Sequence, residues 1–187
     1  MNENFLKKVS RRRFLKTGSM AAISFFLPNL LLASPSDRLL QKKTLALFNA
    51  HTNEHLNTVF WSEGRYVNNA LEEINYFLRD YRTGAIKPIN KQLLNLISAM
   101  SVIIGTEHRF NVISGYRSPE TNKLLRKKSK GVAKNSYHMF GKAIDIRVPG
   151  FSLSKLREIA VYLKSGGVGY YPKSNFIHID SGPVRCW

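Results

Sequence analysis

Three short segments carry side chains able to hold a hydrolytic metal. They are Ser136-Tyr137-His138-Met139-Phe140-Gly141-Lys142-Ala143-Ile144-Asp145, Phe176-Ile177-His178-Ile179-Asp180 and Ser114-Gly115-Tyr116-Arg117. A catalytic zinc takes three protein ligands from histidine and carboxylate and leaves the fourth position to water. His138, Asp145 and His178 form a candidate set of that kind. Arg117 adds a guanidinium, which can orient a substrate carboxylate or steady a developing oxyanion. The single cysteine, Cys186, excludes a cysteine-rich metal site and an internal disulfide framework.

Such ligands work only if local structure brings them together, and strand alternation offers a test. With residues 143–148 extended, Asp145 shares a face with Ala143 and Arg147, while Ile144, Ile146 and Val148 point the other way. In 176–180, His178 shares a face with Phe176 and Asp180, opposed by Ile177 and Ile179. If these strands are neighbours, both ligands project into one cleft over an apolar core. His138, just before Gly141, can then close the site from a loop.

The remaining elements read as a scaffold for that cleft. Residues 44–50 and 56–61 are strand-like and joined by the polar turn His51-Thr52-Asn53-Glu54, a hairpin signal. Helical spacing of Leu71, Ile74, Phe77 and Leu78 predicts a helix over 67–81, and Leu93, Leu94, Ile97 and Met100 predict another over 90–104. Residues 110–114 form a buried strand, and Ser118 caps a short helix over 119–126 that opens on Pro119. A further helix is expected over 152–164, and strands at 167–171 and 176–180 are expected to pair. Clustered, non-alternating elements predict an α+β fold: a single domain whose small antiparallel sheet bears the zinc site, flanked by helices.

The chain has 187 residues, 43% hydrophobic and 11% aromatic, the composition of a folded globular protein. It carries 29 Lys+Arg against 12 Asp+Glu, a net charge of +17. Residues 1–33 hold six of the basic residues and one acid, so the rest still carries +12. A field of that sign favours a polyanion: nucleic acid, an anionic membrane face or an acidic cell-wall polymer. The compartment decides among them.

Ser10-Arg11-Arg12-Arg13-Phe14-Leu15-Lys16 matches the twin-arginine pattern S-R-R-x-F-L-K at every position, a receptor-read export address. The apolar stretch behind it, 20–32, is short and broken by Pro28, so no integral membrane domain is expected. The sequence therefore divides into an export signal, 1–33, and a folded domain, 34–187. No A-x-A cleavage site lies near Ala33, so the chain is either released there or tethered by its leader. Export to the periplasm makes the twin-arginine machinery a partner, argues against nucleic acid, and leaves the wall polymer as the leading anion.

S-x-H-x-x-G-x-A-x-D followed by a late H-x-D resembles the zinc D-Ala-D-Ala metallopeptidase superfamily (LAS type). Within it, S-G-Y-R-S, S-Y-H, G-V-G-Y-Y-P and H-I-D-S-G-P-V-R-C-W are similar to the twin-arginine-exported murein endopeptidases of the YcbK/MepK type. The resemblance runs over essentially the whole of 34–187. It implies one catalytic zinc on His138, Asp145 and His178, and peptidoglycan stem or cross-link peptides as substrate. Arg117 matches the arginine that the family places near the scissile carbonyl. Ser136, Tyr170 and Tyr171 are candidate substrate contacts.

One departure concerns the general base. Relatives carry a carboxylate three residues before the last histidine ligand, or a histidine two before it; here these positions are Asn175 and Phe176. An amide cannot take the proton of a metal-activated water. Asp180 is the substitute, with two roles open to it: proton transfer, or orientation of His178 through its ring. His51, His55 and His108 are further contributors if folding brings them near. The expected function is a zinc-dependent endopeptidase that hydrolyses peptidoglycan cross-links during wall remodelling. Its rivals are a D,D- or L,D-carboxypeptidase on stem peptides and an inactive peptidoglycan-binding module.

Overall fold

In the β1–β2 hairpin, Lys43–Asn49 and His55–Ser62 pair antiparallel on either side of a turn that Asn53 closes in the left-handed region, and burial alternates along β1. Leu45, Leu47 and Phe60 are fully buried on its inner face. The computed structural model describes residues 42–129 and 131–187; the twin-arginine segment and the 33/34 boundary lie outside the described residues. Around the hairpin the chain builds one eight-stranded sheet in the order β3-β2-β1-β4-β5-β7-β6-β8. The other strands are β3 Arg65–Tyr66, β4 Phe110–Ser114, β5 Ala143–Arg147, β6 Gly167–Tyr171, β7 Phe176–Asp180 and β8 Arg185–Cys186.

The α+β class stands, but the sheet is larger than expected and mixed. Both β1–β4 and β6–β8 are parallel pairs. The first arises from a crossover: α1 Asn68–Phe77 and α2 Lys91–Ile104 carry the chain from the hairpin back to its own edge. Strands of two residues such as β3 and β8 leave no periodicity to read.

Helices cover one face of the sheet. Helix α1 packs on β2, α2 on β1, and α4 Leu153–Tyr162 on β6 and β7. Their apolar stripes meet Ile144, Ile146, Ile177 and Ile179, each at 0% exposure. Full burial of such a side chain contributes about 1.5–3 kcal/mol. Asn90 starts α2 by accepting from the amides of Gln92 and Leu93, and Gly105 at φ 99° ends it.

The first helix stops at Phe77, four residues short of the expected end, because a buried carboxylate organises the chain just beyond it. Asp80 accepts from the amide of Arg82 at 3.0 Å and, across the fold, from the amide of Ser118 at 2.8 Å. Ser118 in turn caps α3 Pro119–Lys128 through the Thr121 amide. Asp80 thus anchors the segment that carries Arg117. Burial works to raise the Asp80 pKa, but bonds from Thr121 and Ser118 outweigh it and hold the carboxyl below its ordinary value. Asp80→Ala should cost about 2–3 kcal/mol in denaturant titration at neutral pH, the scale of hydrogen bonds to a charged group. A folded pKa below the unfolded value of about 3.9 means this stability is present above that pH. It fades as pH falls through the folded pKa, so the gap between wild type and variant should shrink in acid.

Candidate metal centre

Register places the two strand-borne ligands face to face: Asp145 on β5 pairs directly with His178 on β7. Their isoleucine neighbours, Ile144 opposite Ile179 and Ile146 opposite Ile177, turn into the core. The third side chain comes from a single 3-10 turn, Tyr137–Phe140. That turn is seated by Gly141, at φ 63°, whose carbonyl accepts from the Asn90 amide at 2.8 Å. A Cβ at Gly141 would collide with the carbonyl of Pro88, so the turn needs glycine to lie this close to the segment leading into α2.

The atoms converge tightly. His138 Nε2 lies 3.2 Å from Asp145 Oδ1 and 3.1 Å from His178 Nδ1, and His178 Nδ1 lies 2.9 Å from Asp145 Oδ1. Tetrahedral ligands at about 2.0–2.1 Å from a common ion stand about 3.3 Å apart, close to these separations. Tautomers are set from outside. His138 Nδ1 donates to the Gly115 carbonyl at 2.7 Å, and His178 Nε2 donates to Asp180 Oδ2 at 3.0 Å. In its neutral form each ring therefore presents a bare lone pair inward, beside a carboxylate oxygen. Three acceptors so close repel one another unless a cation stands between them, so the donor set fits a metal ion.

Electrostatics agree. Burial pushes His138 toward its neutral form, with Arg117 adding to the effect against Asp145. Burial would raise Asp145, but His138, His178 and Arg117 outweigh it and hold the carboxyl far below the usual range. His178 is drawn upward: burial opposes its charge, yet the bonds to Asp145 and Asp180 prevail. The centre calls for positive charge, which a metal supplies without a proton.

The ligands form the floor of a cleft of about 430 Å³. Arg117 lines it, ion-paired through Nη2 to Asp145 Oδ2 and donating from Nε to Ser114 Oγ at 2.8 Å. Nη1 has no partner among the described residues. Ser136 also lines the cleft and makes no capping bond with its side chain. Tyr171 also lines it, stacked on Phe176 with centroids 4.7 Å apart.

Two of the candidate residues, Tyr170 and Asp180, do not line the cleft. Tyr170 does not reach the cleft: alternation along β6 turns it to the core face, with the Arg157 guanidinium over its ring. Of the two roles open to Asp180, its contacts favour orientation of His178. At 0% exposure, its Oδ1 accepts from the amides of Gly167 and Gly182 and from Arg185, and its Oδ2 from His178 and Arg185. A carboxylate offers about four lone-pair sites, so none remains for a solvent proton. Asn175 occupies the left-handed position that returns the chain from β6 to β7, a conformation asparagine tolerates. His51, His55 and His108 lie elsewhere: His51 stacks on Tyr81, His55 meets Arg109, and His108 packs on Phe151.

A family model described as peptidoglycan L,D-endopeptidase MepK matches residues 38–187. The chain belongs to this family. Among its relatives, the peptidoglycan L,D-endopeptidase MepK of Escherichia coli strain K12 is 41% identical over 178 residues, covering 95% of this chain and 97% of that protein. The probable peptidoglycan L,D-endopeptidase MepK of Haemophilus influenzae is 40% identical over 179 residues, covering 95% of each. His138, Asp145 and His178 form a candidate metal site, and membership of this family suggests a metal ion there.

Sequence reasoning assigned no role to Tyr137, Arg185 or Trp187, all of which line the cleft. A signal was present: Gly182-Pro183 just after Asp180 marks a turn that returns the chain to β6.

Proposed function

We propose that this chain is a zinc-dependent peptidoglycan endopeptidase that cuts L,D cross-links between stem peptides in the periplasm. The observation that carries this reading is the convergence of three externally fixed lone pairs on the floor of an open cleft. Membership of a family whose relatives are named L,D-endopeptidases supplies the bond. Residues 1–33 would be the export address read by the twin-arginine machinery, and 34–187 the catalytic domain. Among the described residues no helix is long and apolar enough to cross a membrane.

His138, Asp145 and His178 would hold zinc, an ion suited by two imidazoles and a carboxylate with an open position. When bound, it polarises the scissile carbonyl and lowers the pKa of its water toward about 7. Arg117 pairs with Asp145 and would offer Nη1 to the oxyanion. Asp180 holds the His178 tautomer. Ser136 and Tyr171, which both line the cleft, would contact the peptide. The basic end of α3, Arg126, Lys127 and Lys128, runs into the loop whose Ser129 and Gly131 line the cleft, and would gather carboxylate-rich stems.

Purified protein given defined cross-linked muropeptides should release the two stem peptides from L,D-linked dimers, as read by mass analysis. A chelator should stop the reaction and added zinc restore it. Intact L,D dimers alongside cleaved D,D dimers would reassign the bond. Absence of any zinc-restorable product would leave a wall-binding module, a reading favoured by one observation. Among the described residues, no carboxylate or imidazole outside the metal set lines the cleft.

A further inference from the structure

The last three residues of the sequence lie across the metal centre in a way the hydrolytic reading does not require. Arg185 grips Asp180 with both arms of its guanidinium, Nη2 to Oδ2 at 2.7 Å and Nη1 to Oδ1 at 3.1 Å. The same Oδ2 accepts from His178 Nε2, whose other ring nitrogen faces the metal position. A continuous chain therefore runs from Arg185 through Asp180 to His178. Its outer end is seated between two rings, Tyr137 at 5.2 Å and Trp187 at 4.9 Å from the guanidinium.

The sheet is shaped to receive this segment. Trp187 donates its amide to the Val168 carbonyl at 3.1 Å and accepts from the Tyr170 amide at 3.0 Å, locking β8 alongside β6. Beneath it, β6 carries glycine at alternate positions. A Cβ at Gly167 would collide with the Arg185 guanidinium, and one at Gly169 would come within 2.8 Å of the Trp187 indole. Glycine weakens a strand interior, so its use twice on one face marks close approach of another group. The Trp187 indole lies 5.4 Å from the His178 ring and donates to the Tyr171 hydroxyl at 2.9 Å.

We propose that Arg185 is a positioning residue of the metal centre, holding the Asp180 carboxylate where it fixes the ring and tautomer of His178. Trp187 keeps Arg185 in place. The inference rests on the metal reading of His138, Asp145 and His178. Outer partners of metal-bound histidines typically change metal affinity about 10–100-fold when removed. Arg185 stands one step further out, yet it meets the buried Asp180 carboxylate with both arms of a planar fork. Lysine supplies the charge without the fork.

The test uses the full chain as wild type, R185M, R185K, D180N and R185M/D180N. Zinc affinity is measured by competition with a chromophoric chelator, together with thermal unfolding of each zinc-free protein. Wild type should bind one zinc; if it binds none, the metal reading fails before this one is reached. R185M should bind zinc about 10–100-fold more weakly, with R185K between it and wild type. In the D180N background the R185M change should add little, since a residue that acts through Asp180 has nothing left to act on. Wild-type affinity in R185M overturns the proposal, as does an equal loss with and without the Asp180 carboxylate. A lower melting temperature of the zinc-free protein with unchanged zinc affinity also overturns it, because that is the mark of a structural role. If R185M does not fold, R185K decides: weakened zinc binding upholds the proposal and wild-type affinity ends it.

Discussion

His138→Ala protein is expected to lose activity about 1000-fold or more against cross-linked muropeptides, with no recovery in excess zinc. The Lewis-acid contribution of a bound metal is several kcal/mol, and each 1.36 kcal/mol is tenfold in rate. His138 is the sharpest place to test it because it comes from a turn and not from the paired strands. Its loss leaves β5 and β7 in register and removes one lone pair from a set of three. The remaining pair, Asp145 and His178, is already joined at 2.9 Å. A proton can bridge them as readily as a metal, so the variant should fold while binding zinc poorly. Elemental analysis of the purified variant checks this directly. Full zinc stoichiometry in His138→Ala would remove His138 from the ligand set, whatever the activity.

Arg117→Met is expected to lower kcat about 100–1000-fold while moving KM by no more than a few-fold, the pattern of a lost oxyanion contact. The guanidinium is well placed for two tasks at once. Nη2 and Nε are engaged by Asp145 and Ser114, which fixes the plane of the group, and Nη1 is left for the reacting centre. Since Arg117 also pairs with the ligand Asp145, the zinc affinity of the variant must be measured alongside, with kinetics taken at saturating metal. Arg117→Lys should recover part of the rate, because it restores charge without the fork. A kcat within a few-fold of wild type at saturating zinc would exclude the oxyanion role.

Much of this arrangement is legible in the sequence, and the reason is parity. Ala143 to Arg147 and Phe176 to Asp180 alternate so strictly that Asp145, His178 and Asp180 can only share a face. The Ser118 cap is equally plain, a polar residue ahead of the amide it satisfies. What parity cannot carry is the identity of partners across long separations. Asp180 reads equally well as base or as prop until Arg185 and the amides of Gly167 and Gly182 are seen to fill its lone pairs. Tyr170 and Tyr171 look alike until β6 assigns them to opposite faces. The parallel β1–β4 pairing depends on a crossover through two helices, and no local pattern encodes it. Helix α1 ends early because Asp80 bonds a residue 38 positions away, information that a local window does not contain.

The wide spacing of the groups around the ion has a consequence for the life of the protein in the cell. His138 and Asp145 are 7 residues apart, Asp145 and His178 are 33 apart, and the Gly115 carbonyl that orients His138 lies 23 residues before it. An unfolded chain offers the metal only scattered donors, so binding selects the paired strands and stabilises them by mass action. At a free metal concentration 100 times the dissociation constant, that linkage is worth about 2.7 kcal/mol. Transient opening of β5 and β7, and with it exposure to housekeeping proteases, then becomes about a hundredfold rarer. Metal supply would thus set how long each molecule survives as well as how fast it works, and starvation for the ion would thin the population as it silenced it.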